Sequence, residues 1–143
     1  MPTLTIFRGL PGSGKSTIAA ALAKKTGALV LEPDALLVVD GVYTYTECRW
    51  HEAVSACLRV LASVGLDGMG SDVIYADVLF KRAQVDSVIH QYQKNKDYPH
   101  TVRIFSLATT ADDALLTNRH HVREEDIRRM ERDWEAYPGE VVI

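Results

Sequence analysis

A glycine-rich segment near the start of the chain carries the residues most clearly suited to chemistry. Its sequence, "GLPGSGKST" over residues 9–17, matches the pattern G-x-x-x-x-G-K-[ST]. Glycines let the backbone curl so that successive N–H groups point at phosphate oxygens, and the following helix adds the positive end of its dipole. Lys15 would reach the β- and γ-phosphates of ATP, and Ser16 would ligate Mg²⁺. The predicted nucleotide-binding residues are Gly9, Pro11, Gly12, Ser13, Gly14, Lys15, Ser16 and Thr17.

Two carboxylates stand at the ends of predicted strands. Asp34, in "LVLEPDALL", could accept the proton of an acceptor hydroxyl lying in line with the γ-phosphate. Glu32 competes for that role, and Asp34 could instead be the N-cap of a helical turn. Asp77 ends the apolar strand "VIYAD", a layout in which the acid holds Mg²⁺ directly or through water. The alternative for Asp77 is an aspartate in an ordinary turn at a strand end.

A third group of polar residues, "NRHHVREED" over residues 118–126, lies near the end of the chain. The adjacent histidines disfavour a zinc site, because neighbouring residues point in different directions and no cysteine or carboxylate stands at ligand spacing. Arg119 and Arg123 would share a face if the segment were helical, and they could then reach the phosphates. Glu124, Glu125 and Asp126 suit the first turn of a last helix. The alternative is a solvated loop that leads into a capped helix.

Strands and helices alternate along most of the chain, which predicts parallel βαβ units. We expect one α/β domain over residues 1–143, a three-layer P-loop fold with a parallel sheet of four to five strands. A short lid at about 111–123 and a last helix complete it. The reactive site of such a sheet lies beyond the carboxyl ends of its strands, where the phosphate loop, Asp34 and Asp77 would meet. The predicted strands cover residues 3–8, 28–31, 72–76, 101–107 and a short edge at 141–143; the helices cover 15–25, 47–64, 80–95 and 123–137; residues 65–71 are a loop.

The composition narrows the class of protein. A net charge of −3 creates no global field that attracts polyanions, which counts against broad, non-specific nucleic-acid binding. No apolar run approaches the roughly 18 residues that span a bilayer, and the first residues resemble a strand more than a signal peptide. Cys48 and Cys57 lie nine residues apart without a C-x-x-C context, so we expect reduced thiols and a cytoplasmic location.

With these residues in place, the chain resembles the small P-loop kinases related to the kinase domain of phage polynucleotide kinase and to zeta-toxin-like ATP-binding proteins. The resemblance implies an adenylate-kinase-like fold, ATP and Mg²⁺ as cofactors, and Asp34 as the general base. It also implies catalytic roles for Lys15 and for the lid residues Arg119 and Arg123, which would contact the transferring phosphates. It covers nearly the whole chain and depends on "GLPGSGKST", Asp34, "DGVYTY" at 40–45, His51, "VIYAD", "NRHHV", Met130 and "DWE" at 133–135.

The chain also departs from that family. Polynucleotide kinases carry an arginine shortly after the base, whereas residues 35–38 here are all apolar. An acceptor with an apolar body, such as a base or nucleoside, would suit these departures. It would lie against Leu36, Leu37, Val78 and Phe80. The departures resemble one branch, the small phage P-loop kinases that phosphorylate 5-hydroxymethyluracil within DNA. A flipped base could then stack on Tyr43, Tyr45 or Trp50.

The leading hypothesis is an ATP- and Mg²⁺-dependent kinase that acts on a hydroxyl of a nucleic acid or nucleoside. Its acceptor would be 5-hydroxymethyluracil in DNA or a polynucleotide 5′-hydroxyl. A small-metabolite kinase is the first alternative, favoured by the acidic net charge. A non-catalytic module that binds ATP and couples it to a partner is the second. The sequence leaves the oligomeric state open.

Overall fold

The helices and strands follow the alternating order that the sequence predicts. The computed structural model describes residues 2–64, 71–94, 96–118 and 120–143, so the predicted loop at 65–71 lies outside it except for Ser71. The elements are β1 (Thr3–Arg8), α1 (Lys15–Thr26), β2 (Leu29–Leu31), a 3-10 helix (Pro33–Leu37), β3 (Val38–Val39), β4 (Val42–Tyr43), α2 (Glu47–Ser63), β5 (Val73–Asp77), α3 (Arg82–Gln93), β6 (Thr101–Ser106), α4 (Ala111–Leu116), α5 (Glu124–Arg132) and β7 (Val141–Val142).

Within the described residues, five strands form one sheet in the order β2-β5-β1-β6-β7. Every pairing in it is parallel, and the predicted edge strand at the end of the chain pairs with β6. The apolar strand β1 lies in the middle, between β5 and β6. At its carboxyl end Arg8 is in register with Asp77 on one side and Ser106 on the other. The segments that follow β1 and β5 therefore start at the same edge of the sheet.

Helices cover both faces of the sheet because the strands alternate their apolar side chains. Leu4 and Ile6 of β1 pack on one face with α2 and α3, whose buried residues include Leu61 and Val88. On the other face Phe7 packs with Ala19 of α1. This arrangement confirms the predicted three-layer α/β fold. A smaller cluster of Leu10, Ala111, Ala114 and Ile127 attaches α4 and α5 to the segment after β1.

The start of α1 was predicted correctly from the local sequence, whereas the end of α5 was not. α1 begins at Lys15, as predicted, and ends at Thr26, one residue beyond the predicted end. The next residue, Gly27, has a left-handed backbone (φ 72°) and donates its N–H to the Ala23 carbonyl, which stops the helix. The prediction of a last helix through residue 137 is wrong, since α5 ends at Arg132. The chain after it runs across the loop between β5 and α3, where the Glu135 N–H donates to the Phe80 carbonyl at 2.9 Å. That tertiary bond takes the place of further helical bonds.

A hairpin between β2 and α2 was not predicted. The 3-10 helix leads into the antiparallel pair β3 and β4, with Val38 opposite Tyr43. The two turn residues, Asp40 and Gly41, both have positive φ (51° and 78°), the conformation that two-residue hairpin turns favour. The strands are too short to show a period of two in the sequence, which explains the omission. No helix in the described parts of the chain is long and apolar enough to cross a membrane.

Arg8, the last residue of β1, is fully buried. Its Nε and Nη2 donate to the Leu79 carbonyl at 3.0 and 2.5 Å, and its Nη1 donates to Glu140 Oε2 at 2.9 Å. The guanidinium also lies over the Trp134 ring, 4.5 Å from its centroid. One side chain thus joins the end of β1, the loop after β5 and the C-terminal segment. From the sequence alone, Arg8 was predicted only to end a strand.

Removing this arginine should destabilise the protein strongly. Arg8→Met leaves the buried Glu140 carboxylate without its cation and should lower the free energy of unfolding by about 3–5 kcal/mol. Urea denaturation measures it. Arg103→Met, at an exposed position of the neighbouring strand β6, is the matched control and should change stability by less than about 0.5 kcal/mol. Equal effects of the two substitutions would contradict the importance of the buried bonds.

Candidate active site

The segment between β1 and α1 has the backbone of a phosphate cradle. Gly12 and Gly14 both adopt positive φ, 84° and 92°, which only glycine adopts without strain. A side chain at Gly12 would also meet the Ala114 carbonyl, since a Cβ there would lie 2.5 Å from that oxygen. The Ser13 N–H donates to the Leu10 carbonyl at 3.0 Å and closes the turn. These constraints explain why glycine occupies positions 12 and 14.

The side chains of this loop suit a bound phosphate. Ser13 Oγ is buried and has no hydrogen-bond partner among the described residues. Lys15 is only 7% exposed, and its Nζ donates to the Leu10 carbonyl at 3.4 Å. Burial lowers the pKa of Lys15, and the charges of Asp77, Asp34 and Glu32 oppose that shift. An anion beside Nζ would likewise favour the charged ammonium.

Ser16, in the first turn of α1, and Asp77, at the end of β5, are the predicted Mg²⁺ ligands. The Ser16 hydroxyl donates a short hydrogen bond to Glu32, which leaves its oxygen lone pairs free for a metal. Asp77 is 7% exposed, and its Oδ1 accepts the Val78 N–H at 2.8 Å. No group of three or more His, Cys, Asp or Glu side chains that could hold a metal occurs in the described part of the chain. The Ser16 hydroxyl and the Asp77 carboxylate would suit Mg²⁺, which proteins bind through one or two carboxylates together with substrate phosphates.

Burial raises the pKa of Asp77 from 3.8 to about 7. The Val78 N–H and the Lys15 charge work against this rise, whereas the charges of Asp34 and Glu32 add to it. Four ionisable groups are therefore close enough to influence one another at the carboxyl edge of the sheet. Shifted titration of this kind is typical of functional sites.

Asp34 lies in the 3-10 helix and is held there by a tyrosine. The Tyr43 hydroxyl, on β4, donates to Asp34 Oδ1 at 2.8 Å. The alternative role of Asp34 as an N-cap is wrong, because the residue at the cap position is Glu32 and no side chain caps the helix. Glu32 itself is engaged with Ser16. The two candidates for the general base therefore have different hydrogen-bond partners, Ser16 for Glu32 and Tyr43 for Asp34.

A cavity of about 770 Å³ opens in front of Asp34 and Asp77. Val78 and Phe80 line it as expected. The expectation for Leu36 and Leu37 is wrong, since Leu36 is exposed, Leu37 is buried in the core, and neither reaches the cavity. The cavity is otherwise lined by Pro11, Tyr43, Tyr45, Trp50, Leu79, Gln84, His120, His121, Val122, Arg123, Asp126, Arg129 and Met130.

The segment between α4 and α5 closes one side of this cavity. The Asn118 side chain pairs with the backbone of Val122, donating to its carbonyl at 2.6 Å and accepting its N–H at 3.1 Å. The Thr117 hydroxyl donates to the Gly12 carbonyl. The His120 ring stacks on Tyr43, with centroids 4.0 Å apart and planes at 26°. The lid is therefore in contact with both the phosphate loop and the hairpin, and no local sequence pattern indicated these contacts.

The two lid arginines differ in what the structure shows of them. Arg119 lies outside the described residues. Arg123 lines the cavity, 72% exposed, and binds Glu125 at 2.8 Å and Asp126 at 3.0 Å. The described residues on either side of position 119 are not helical, so the condition under which the two arginines would share a helical face is not met in the described part of the segment. Arg129, which also lines the cavity, was not among the predicted site residues.

Comparisons with known proteins agree with this geometry. A family model described as an AAA domain, AAA_33, matches residues 4–137. The chain belongs to that family. No curated protein sequence matched the chain.

Solved structures resemble the chain at low sequence identity. A gluconokinase from Sinorhizobium meliloti 1021 is 19% identical with a TM-score of 0.66, and covers 99% of this chain and 81% of its own. A sugar kinase from Janibacter sp. HTCC2649 is 20% identical with a TM-score of 0.62, covering 100% and 84%. A chain of the Pnkp1/Rnl/Hen1 RNA repair complex is 16% identical with a TM-score of 0.71, covering 92% and 43%. This member of the AAA_33 family thus has the fold of P-loop kinases.

The ionisation of Asp77 should make stability depend on pH. Its pKa in the folded state lies above 3.8, so the unfolded chain loses this proton first, and stability falls as pH rises from about 4 to 7. Asp77→Asn cannot ionise and should raise the thermal midpoint above pH 7 by several degrees, a gain that shrinks toward pH 4. Thermal denaturation at both pH values measures it, with Asp97→Asn, on the loop before β6, as the control. A pH-independent gain would contradict the buried ionisation.

Proposed function

We propose that this member of the AAA_33 family is an ATP- and Mg²⁺-dependent kinase that phosphorylates a hydroxyl of a nucleic acid or nucleoside. The observation that most supports the proposal is the cavity that Asp34 and Asp77 line together with Pro11 of the phosphate loop. Electrostatic coupling of both carboxylates with the buried Lys15 supports a shared site for donor and acceptor. The likeness to kinase structures of the same fold supports the reaction class.

The donor side would use the residues of the phosphate loop. Lys15 and the backbone N–H groups of the loop would bind the β- and γ-phosphates, and the buried Ser13 hydroxyl would gain a partner. Ser16 and Asp77 would hold Mg²⁺, with Glu32 orienting the Ser16 hydroxyl. Mg²⁺ held there would supply positive charge that offsets the negative charge of the phosphates during transfer.

The acceptor side would use Asp34 as the general base. Asp34 takes the proton of the acceptor hydroxyl as that oxygen bonds to the γ-phosphorus. The bond from phosphorus to the β,γ-bridging oxygen breaks, and ADP leaves with the electron pair. Arg123 lies at the cavity and would turn from Glu125 and Asp126 toward the phosphates, where its charge would stabilise the transferring group. We assign the same contact with the phosphates to Arg119.

Aromatic side chains around the cavity favour a base or nucleoside as the acceptor. Tyr45, Trp50 and Phe80 line it together with the apolar Val78. Flat rings of this kind stack on nucleobases with little regard to sequence. A 5-hydroxymethyluracil flipped out of DNA fits this description, and a polynucleotide 5′-hydroxyl is the related choice. Because the chain as a whole is acidic, contacts to a polyanion would depend on local residues such as Arg123 and Arg129.

A small-metabolite kinase is the second candidate. Its support is the net charge of −3 and the fold shared with the gluconokinase. In such an enzyme the aromatic rings would pack against the body of a small acceptor. The two candidates differ in which acceptors would bind and receive phosphate.

A panel of acceptors decides between the candidates. Radiolabelled γ-phosphate of ATP is offered with Mg²⁺ to DNA containing 5-hydroxymethyluracil, to DNA and RNA with 5′-hydroxyl ends, to nucleosides, and to sugars. We expect label in a nucleic acid or nucleoside. Label in sugars alone would favour the metabolite kinase, and ATP binding without transfer to any acceptor would leave only a nucleotide-binding module.

Replacing the proposed base should abolish transfer while sparing nucleotide binding. Asp34→Asn keeps the shape of the side chain but cannot take the proton, so kcat should fall by about a hundredfold or more. The dissociation constant for ATP, measured by calorimetry, should change little. Asp40→Asn at the exposed hairpin tip is the matched control, because asparagine also tolerates the positive φ of that position. Full activity of Asp34→Asn would remove the assignment of the base.

A further inference from the structure

Tyr43 joins two parts of the site that lie far apart in the sequence. Its hydroxyl donates to Asp34 Oδ1 at 2.8 Å, and its ring carries the His120 ring at a centroid distance of 4.0 Å. All three side chains line the cavity. A hydrogen bond through the edge of the ring and a stack on its face use different parts of one side chain, so both contacts hold at once.

The hydroxyl of Tyr43 is a permanent donor. Burial raises the pKa of Tyr43 further above its ordinary value, and the charge and hydrogen bond of Asp34 add to that rise. The raised pKa favours the protonated hydroxyl, which donates to one oxygen of Asp34. The second oxygen of Asp34 is left for an acceptor hydroxyl. A carboxylate held in this way presents that oxygen in one direction, which matters because proton transfer requires hydrogen-bond reach.

Described residues on both sides of His120 make hydrogen bonds of their own. Asn118 closes the loop onto Val122, and Thr117 bonds the Gly12 carbonyl of the phosphate loop. The position of His120 is thereby linked to the phosphate loop, and the stack links it in turn to the hairpin. The valines of the hairpin, Val38, Val39 and Val42, are exposed, so they do not anchor it in the core.

We propose that Tyr43 is a positioning residue that aims Asp34 at the acceptor hydroxyl, and that His120 of the lid holds Tyr43 in place by stacking on it. The proposal rests on the proposed function, in which Asp34 is the base. In it, the segment that closes over the phosphates also orients the base, so donor and acceptor sides are assembled together. The proton of the acceptor hydroxyl passes to Asp34 and then to water, and Tyr43 neither gains nor loses one.

The test removes one oxygen atom. Tyr43→Phe keeps the ring and its stack on His120 but deletes the bond to Asp34. We expect kcat to fall by about tenfold or more, the loss that a hydrogen bond to a charged group implies, with KM for ATP unchanged. Tyr137→Phe is the matched control, because it deletes a tyrosine-to-aspartate hydrogen bond, to Asp86 at 2.5 Å, outside the cavity. It should leave kcat unchanged.

A second pair of variants tests the stack. His120→Ala deletes the ring and should lower kcat, whereas His120→Phe keeps a flat ring and should restore most of it. The acceptor is the one that labels best with the wild-type chain, and thermal midpoints confirm that each variant is folded. Rescue by phenylalanine separates stacking from any proton transfer by the imidazole.

The outcomes separate this inference from the proposed function. A wild-type chain that transfers no phosphate overturns both. An active wild-type chain with an unchanged or raised kcat in Tyr43→Phe overturns the positioning role and leaves Asp34 as base. Equal loss in His120→Phe and His120→Ala overturns the role of the stack.

Discussion

The buried guanidinium at the carboxyl end of β1 joins three parts of the chain at the edge of the sheet where the phosphate loop begins. Arg8 is enclosed completely, and its hydrogen bonds to the Leu79 carbonyl and to Glu140 fix the loop after β5 and the C-terminal segment against the central strand. A buried charge is tolerated only when it is paired and hydrogen-bonded, so these three parts of the chain must meet in one arrangement. The phosphate loop starts at the next residue, and Asp77 lies in register beside Arg8. These bonds therefore fix the carboxyl edge of the sheet, from which the phosphate loop and Asp77 extend.

Charges concentrated at that edge oppose one another's ordinary ionisation. Burial lowers the pKa of Lys15 and raises that of Asp77 to about 7, and each group partly offsets the shift of the other. Such an arrangement costs folding free energy, which natural proteins tolerate at functional sites. A bound polyphosphate with its metal would supply the missing partners, anionic oxygens for Lys15 and a cation for Asp77. Burial of Lys15 and Asp77 destabilises the free protein, but it would strengthen the attraction between these charges and a phosphate donor with its metal.

The acceptor side is built differently, from contacts between distant segments. Asp34 depends on a tyrosine of the hairpin, and that tyrosine is stacked on a histidine of the lid. The lid itself touches the phosphate loop through Thr117. Because the phosphate side and the acceptor side share the lid, a displacement of the lid would alter both. The aromatic lining supports the kind of acceptor we propose, a base or nucleoside, and the fold shared with kinase structures supports the kind of reaction we propose.

The sequence by itself determined the parts of the molecule that local patterns specify. The apolar run of β1, the glycines with positive φ, the helix formers of α1 and the acid that ends β5 each belong to a short stretch of sequence, and these predictions agreed with the structure. Tertiary structure alone decided the rest. α5 ends early because the chain after it bonds the loop at Phe80, and Glu32 and Asp34 take different partners because Ser16 and Tyr43 reach them from other elements. Arg8 is buried by residues more than 70 positions away. Contacts between distant segments leave no periodicity in a sequence, and only the folded chain shows them.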